Sequence, residues 1–287
     1  MKIRAPAKVN LFLRVLGRRP DGYHLLDTLI VPVSLYDVIE IRRVPAKRQQ
    51  ANARITIECD DPAVPAGEEN LAYRAAQLFL EQADRPTSIH IHIQKRIPFG
   101  AGLGGGSTDA AATLLGLNRL FKLNVSEARL ERLALGLGAD VPFFIRARPA
   151  RAHGIGERLH PVRGLVYFWL VILYPGFPVA TASVYNKLRT KLTKPRPGNS
   201  IATSLKRFDR LTDLLVNDLE SVTLESYPKI RILKEKLLRE GAAGGLMAGS
   251  GSSVFGIFGS KGLAQSAFDR LRNEEGVQAY LVHVLNR

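Results

Sequence analysis

The sequence predicts an α+β protein of two domains. Three observations carry this expectation. Strand-like runs gather before residue 60, helical patterns interrupt and follow them, and a second set of strands after residue 167 is too irregularly ordered for a doubly wound sheet. At 287 residues the chain exceeds the usual single domain, so a division into 1–155 and 156–287 is expected.

Residues 8–16 (KVNLFLRVL) form a short apolar run closed by Gly17, Pro20, Asp21 and Gly22, which reads as a strand and a turn. A second strand is expected over 25–33. Residues 37–44, 53–59 and 88–94 alternate as half-buried strands do. Within the last of these, His90 and His92 look like a metal pair but lack a third ligand nearby, so they are expected on the solvent side.

Helical spacing marks 71–82, with Asn70 as cap. A helix over 107–121 gathers Ala110, Ala111, Leu114, Leu115 and Leu117 on one flank, and another opens at Ser126 and ends at Gly136. Residues 167–174 (YFWLVILY) read as a buried strand stopped by Pro175-Gly176. Helices are expected at 181–192 and 229–239. The glycine-rich stretch 241–251 then leads to a strand at 253–258, a helix at 263–273 and a last strand at 277–284. The basic stretch 187–210, interrupted by Pro195, Pro197, Gly198 and Asn199, reads as a solvated loop.

With 46% hydrophobic and 23% charged residues the chain can bury a core and is not a disordered sequence. Its formal charge of +15 favours anionic partners: nucleotides, phosphorylated metabolites or nucleic acid. The cations are spread along the chain instead of gathering in a patch, which argues against a nucleic-acid-binding module. The single cysteine, Cys59, excludes an intramolecular disulfide and a cysteine-zinc cluster. No signal peptide and no apolar run of spanning length stand in the sequence, so a soluble cytoplasmic protein without membrane or nucleic-acid partners is expected, as monomer or homodimer.

The strongest local signal is the run Pro98, Phe99, Gly100, Ala101, Gly102, Leu103, Gly104, Gly105, Gly106, Ser107 and Thr108, between a strand ending in Lys95-Arg96 and a helix. Missing side chains let backbone N–H groups approach an anion, and the helix adds its unpaired amides and dipole at the same spot. Gly100-x-Gly102-x-x-Gly105 matches a dinucleotide fingerprint and keeps a nicotinamide-dependent oxidoreductase as an alternative. However, residues 118–123 offer no acid where a ribose would need one. The Gly-Lys-Ser/Thr ending of a P-loop and the HRD and DFG tripeptides of protein kinases are also missing.

Three further segments accompany the loop in order: Ala5-Pro6-Ala7-Lys8-Val9-Asn10-Leu11, Gly138-Ala139-Asp140-Val141-Pro142 and Gly249-Ser250-Gly251-Ser252-Ser253-Val254-Phe255. Together they resemble the GHMP kinases over most of the chain. That resemblance implies an N-terminal ribosomal-protein-S5-domain-2-like domain, a C-terminal ferredoxin-like α/β sandwich domain, and ATP and Mg²⁺ as cofactors. The long Gly-Leu-Gly-Gly-Gly-Ser loop, Asp21-Gly22-Tyr23-His24, Gly154-Ile155-Gly156-Glu157 and Asn217-Asp218-Leu219-Glu220 look like one branch of the family. That branch phosphorylates the 2-hydroxyl on the erythritol end of a cytidine diphosphate derivative, in non-mevalonate isoprenoid biosynthesis. Thr108-Asp109 after Ser107 is a departure at a position that varies. A mevalonate- or homoserine-type kinase is the nearer alternative.

The resemblance implies that Asp140 accepts or orients the hydroxyl proton, its bland alternative being a helix cap before Val141-Pro142. It makes Lys8 the cationic partner, and residues 98–108 the ATP site. Ser107 would help place Mg²⁺, or would only cap the helix. Asn10 would bind the erythritol end and Tyr23 and His24 the cytosine, with Tyr185 stacking on the other side of the base or packing in the core.

Overall fold

A computed structural model describes residues 1–44, 55–82, 87–188 and 198–286. In chain order come β1 (Lys2–Arg18), β2 (His24–Arg43), β3 (Ile55–Cys59), α1 (Leu71–Gln82), β4 (Ile89–Gln94), α2 (Gly105–Phe121), α3 (Glu127–Leu135), α4 (Val141–Arg146), β5 (Ala150–Gly154) and β6 (Arg158–Pro161). There follow β7 (Trp169–Tyr174), α5 (Thr181–Lys187), α6 (Gly198–Leu205), α7 (Phe208–Leu211), β8 (Val216–Asn217), α8 (Glu220–Ser226), α9 (Pro228–Arg239), β9 (Gly244–Met247), β10 (Val254–Phe258), α10 (Lys261–Leu271) and β11 (Gln278–His283). The mixture is α+β, as expected.

The chain forms two compact units: Met1–Ala7, Tyr36–Phe99 and Gly104–Ala147 make the first, and Lys8–Leu35, Gly100–Leu103 and Arg148–Arg287 the second. Because β1 and β2 contribute to both, no single cut in the chain separates them.

In the first unit the end of β2 pairs antiparallel with β4, and β4 pairs parallel with β3. The alternation of β4 decides its faces: Ile89, Ile91 and Ile93 are wholly buried, while His90 and His92 lie half-buried on the other side. Helices α1, α2, α3 and α4 pack against one another. Helix α1 starts as its sequence requires, with Asn70 Oδ1 accepting from the Ala72 amide at 2.9 Å.

The second unit holds a four-stranded antiparallel sheet in the order β11-β7-β10-β9. Its central strand β7 buries Leu170, Val171, Ile172 and Leu173 completely, and helices α9 and α10 pack on the sheet. Val171, Leu173, Leu233, Leu237, Phe258, Ala264 and Ala267 share its core. Elsewhere in this unit β1 pairs parallel with β8, and β2, β5 and β6 form an antiparallel ribbon.

Several expectations need correction. The strands expected at 25–33 and 37–44 are one strand, β2, because no turn pair separates them and Pro32 removes only one ladder donor. The solvated loop expected over 187–210 gives way to α6 and α7: Ile201 and Leu205, one helical turn apart, are buried, an anchor concealed by the polar residues around them. Residues 189–197 of that stretch, with the end of the helix expected at 181–192 and the start of the strand expected at 53–59, lie outside the described residues. The glycine-rich stretch 241–251 contains a strand, β9, unseen because Gly244 and Gly245 carry no side chain to show a period. At Gly244 a Cβ would stand 2.5 Å from Leu215 Cδ1.

Candidate active site

In the first unit, the strand-to-helix passage that begins and ends the glycine-rich run is anchored by a buried polar triad. Asp37 Oδ1 accepts from the Arg96 and Ile97 amides at 2.6 and 2.8 Å, just before the loop. Lys95 Nζ bridges Asp37 Oδ2 at 2.5 Å and Asp109 Oδ2 at 2.8 Å, and Asp109 sits in the first turns of α2. At Gly105 a Cβ would stand 2.9 Å from Lys95 Nζ, so the glycine leaves room for the bridging ammonium.

Three buried charges sum to one negative, and the titration of the group reflects it. Burial pulls the Lys95 ammonium down, but Asp109 and Asp37 more than offset this and hold it above the usual lysine range. Burial pushes the Asp109 carboxyl up to about 8, with Asp37 adding to the effect and Lys95 opposing it. Asp109 Oδ1 is buried with no hydrogen-bond partner among the described residues. The triad was not foreseen: its members stand 58 and 14 positions apart and no motif joins them.

Helix α2 begins after Gly104, whose φ of 77° is left-handed and unstrained only for glycine. The first intrahelical bond runs from Thr108 N to Gly104 O at 2.9 Å, so the amides of Gly105, Gly106 and Ser107 precede it. Ser107 is the third residue of the helix, not its cap. That removes the capping alternative. Asp140 does occupy the cap position of α4, half-buried, but its side chain makes no capping hydrogen bond, so helix capping does not account for the carboxylate.

In the second unit the middle of the same loop is held by its carbonyls. Gly100 O accepts from Val179 N at 3.1 Å, Ala101 O from Ser253 N at 3.1 Å and Leu103 O from Lys8 N at 2.9 Å. These contacts turn three partial negative charges into the protein and suit the loop to an anion. At Gly102 a Cβ would overlap the Ala248 carbonyl oxygen.

Two of those partners, Lys8 and Ser253, stand in the first and last of the segments that carry the family resemblance. Lys8 is 5% exposed. Its ammonium donates to Asn10 Oδ1 at 2.8 Å and lies beside Gly249, where a Cβ would stand 3.3 Å away. Asn10 Nδ2 donates to Thr28 Oγ1 at 2.8 Å, and Thr28 Oγ1 to Phe12 O at 2.6 Å. The Gly249 turn is fixed by Asn217, which donates to Met247 O at 2.9 Å and Gly249 O at 2.7 Å and accepts from Leu219 N at 3.0 Å. Of these holding residues, Asn217 stood in a segment already singled out. Thr28 carried no signal, being an ordinary strand threonine.

The aromatic residues expected at a base lie in this unit too. Tyr23 follows a turn closed by Arg19 N to Tyr23 O at 2.7 Å and is 59% exposed. His24 stacks directly on Tyr185, ring centroids 5.0 Å apart and planes inclined by 30°. Desolvation, and then the Arg18 charge, lower the His24 pKa, so its neutral ring offers one donor and one acceptor.

Residues 70–148 match the GHMP kinases N terminal domain and residues 201–278 the GHMP kinases C terminal, one on each side of residue 155. The chain is 45% identical over 282 residues to a 4-diphosphocytidyl-2-C-methyl-D-erythritol kinase of Syntrophotalea carbinolica, covering 98% of each. To the kinase of the same name from Citrifermentans bemidjiense it is 45% identical over 285 residues, covering 99% of each. Among solved structures, a crystal structure of 4-(cytidine 5'-diphospho)-2C-methyl-D-erythritol kinase matches with a TM-score of 0.84 at 38% identity over 100% of both chains. A homoserine kinase from Cytophaga hutchinsonii shares the fold, with a TM-score of 0.74 at 19% identity over 100% of this chain and 94% of that one. The glycine-rich loop, its buried lysine and these likenesses agree: the chain belongs to the GHMP kinases, and within them to the family of the 4-diphosphocytidyl-2-C-methyl-D-erythritol kinases.

Proposed function

We propose that the chain transfers the γ-phosphoryl group of ATP to the 2-hydroxyl of 4-diphosphocytidyl-2-C-methyl-D-erythritol, giving the 2-phosphate and ADP for isoprenoid biosynthesis by the non-mevalonate route. The observation that best supports it is the tie of Lys8 to the loop: its backbone is bonded to Leu103 and its buried ammonium is held by Asn10. A fixed cation at an anion-binding loop is what phosphoryl transfer asks of a protein, since the reaction depends on positioning and on neutralising charge.

In this reading residues 98–108 cradle the phosphates through backbone amides, the loop carbonyls being turned elsewhere. The acceptor hydroxyl oxygen forms the new bond to the γ-phosphorus, the bond from that phosphorus to the ADP oxygen breaks, and the hydroxyl proton passes to Asp140. In a loose transition state that proton leaves late, so Asp140 serves chiefly to orient the hydroxyl. Lys8 stabilises the negative charge that gathers on the transferred group and its acceptor.

Among the described residues no three His, Cys, Asp or Glu side chains gather as a metal site, which fits a Mg²⁺ bound largely through nucleotide oxygens and waters. When bound, Mg²⁺ neutralises phosphate charge, and Ser107 is the residue to assist it. Tyr23, His24 and Tyr185 recognise the cytosine end. The His24–Tyr185 stack must open if a base is to enter between them, because two rings with a base between stand farther apart than 5.0 Å. Among the described residues no helix is long and apolar enough to cross a membrane, and Cys59 is a free thiol. We place the enzyme in the cytoplasm.

A coupled assay of ADP release tests the proposal. Turnover should require both Mg-ATP and the cytidine diphosphate substrate, and Asp140→Ala should lower kcat by about a thousandfold with its melting curve preserved. No turnover of that substrate by pure, folded protein sinks the assignment. Turnover of mevalonate or homoserine instead moves it to another GHMP kinase.

A further inference from the structure

We infer that Thr28 is a positioning residue for phosphoryl transfer: through Asn10 it fixes the direction of the hydrogen bond that holds the Lys8 ammonium. The inference rests on the reading that Lys8 acts on the transferred group.

The direction follows from what each group can do. A backbone carbonyl only accepts, so the Thr28 hydroxyl must donate its one hydrogen to Phe12 O, at 2.6 Å. What Thr28 then presents to Asn10 is a lone pair. Asn10 must answer with its NH₂ group, at 2.8 Å, and this turns Oδ1 toward Lys8. An ammonium only donates, and it does so to Oδ1 at 2.8 Å. Reversing the amide would set NH₂ against NH₃⁺ at one end and Oδ1 against the Thr28 lone pair at the other. The carbonyl of Phe12 therefore decides, through two side chains, how Lys8 is held.

The chain is built where water cannot substitute for a lost member: Lys8 is 5% exposed, Asn10 2% and Thr28 2%. All three side chains hang from β1 and β2, rigid elements whose alternation brings residues 8, 10 and 28 together. Asn10 thus has a task toward Lys8 whether or not it also touches the erythritol end.

The test is steady-state kinetics on the whole enzyme, with ATP and the cytidine diphosphate substrate varied in turn. Thr28→Val keeps the shape, removes the hydroxyl and strands the Asn10 NH₂ group. We expect kcat to fall about 10- to 100-fold while both KM values stay within about twofold. Thr28→Ser, which keeps the donor and the lone pair, should recover most of the loss, a rescue that a purely packing role for the threonine methyl would not give. Lys8→Met is the control. Undiminished kcat in Thr28→Val beside an inactive Lys8→Met overturns the inference and leaves the reading of Lys8 standing. Raised KM with unchanged kcat also overturns it, since Thr28 would then serve binding. Normal turnover by Lys8→Met removes the reading itself. If Thr28→Val does not fold, Thr28→Cys, with a weak donor of similar size, takes its place: a kcat below that of Thr28→Ser is expected, and a wild-type kcat overturns the inference.

Discussion

Lys95 in the first unit and Lys8 in the second are both nearly excluded from water, at 4% side-chain and 5% residue exposure, but they are held by different chemistry. Lys95 lies between two carboxylates, Asp37 and Asp109, and the other oxygen of Asp37 ties down the strand end before the loop. Lys8 donates to a neutral amide, and that amide is oriented by a hydroxyl and a carbonyl. The two carboxylates offset the charge of the Lys95 ammonium, whereas the Asn10 amide gives the Lys8 ammonium a direction. On the proposed function the first lysine serves structure and the second chemistry, although both bear on the same loop, Lys95 just before it in the chain and Lys8 through its backbone amide to Leu103 O.

The largest effect should therefore come from Lys8→Met, which is expected to lower kcat by about a thousandfold or more with the melting temperature within a few degrees of wild type. Lys95→Met should invert the pattern. It leaves two buried carboxylates without their shared cation, an arrangement that costs about 3–5 kcal/mol, so the melting midpoint should drop on the order of 10 °C. Thermal melts and kinetics on both variants settle it. If Lys95→Met melts like wild type but is inactive, the division between the two lysines is wrong.

How much of this could be read in the sequence follows the range of the interactions. The loop at 98–108 was legible because left-handed backbone at Gly100, Gly102 and Gly104 needs glycine, and that requirement is written locally. The Asn70 cap and the alternating isoleucines of β4 are local too, and the structure matches both. The triad is not local: it depends on β2, β4 and α2 meeting, and each acid or lysine alone looks like a surface residue. Thr28 was invisible for the same reason. Strand β9 was hidden by its glycines, and α6 by the polar residues around Ile201 and Leu205. Lys8, Asn10 and Asp140 were named through resemblance, which no local pattern replaces; Lys8 and Asn10 are buried and bonded to each other, and Asp140 stands at the cap position of α4 without a capping side-chain hydrogen bond.

The smallest effect sharpens the comparison most, because it concerns the sign of a charge. If the triad carries one negative charge too many, Asp109→Asn should help the fold at alkaline pH. The Asp109 carboxyl is pushed by burial from 3.8 to about 8 in the folded chain. Between those values the native state binds a proton that the unfolded state has released, so stability falls as pH rises toward 8. Above that, both states are ionised and the loss levels off. Nearby Cys59, whose thiol is raised by burial and further by Asp60 and Asp109, also costs stability as pH rises, but only near the top of this range, and it is present in wild type and variant alike. Asparagine still accepts from Lys95, cannot ionise, and leaves the Lys95–Asp37 pair neutral. The melting curves of wild type and Asp109→Asn, recorded from about pH 5 to about pH 9, should diverge by several degrees in favour of the variant as pH climbs. Curves that stay parallel, or that diverge in favour of the wild type, mean that Asp109 is ionised in the folded chain and that Lys95 is shared evenly by two carboxylates.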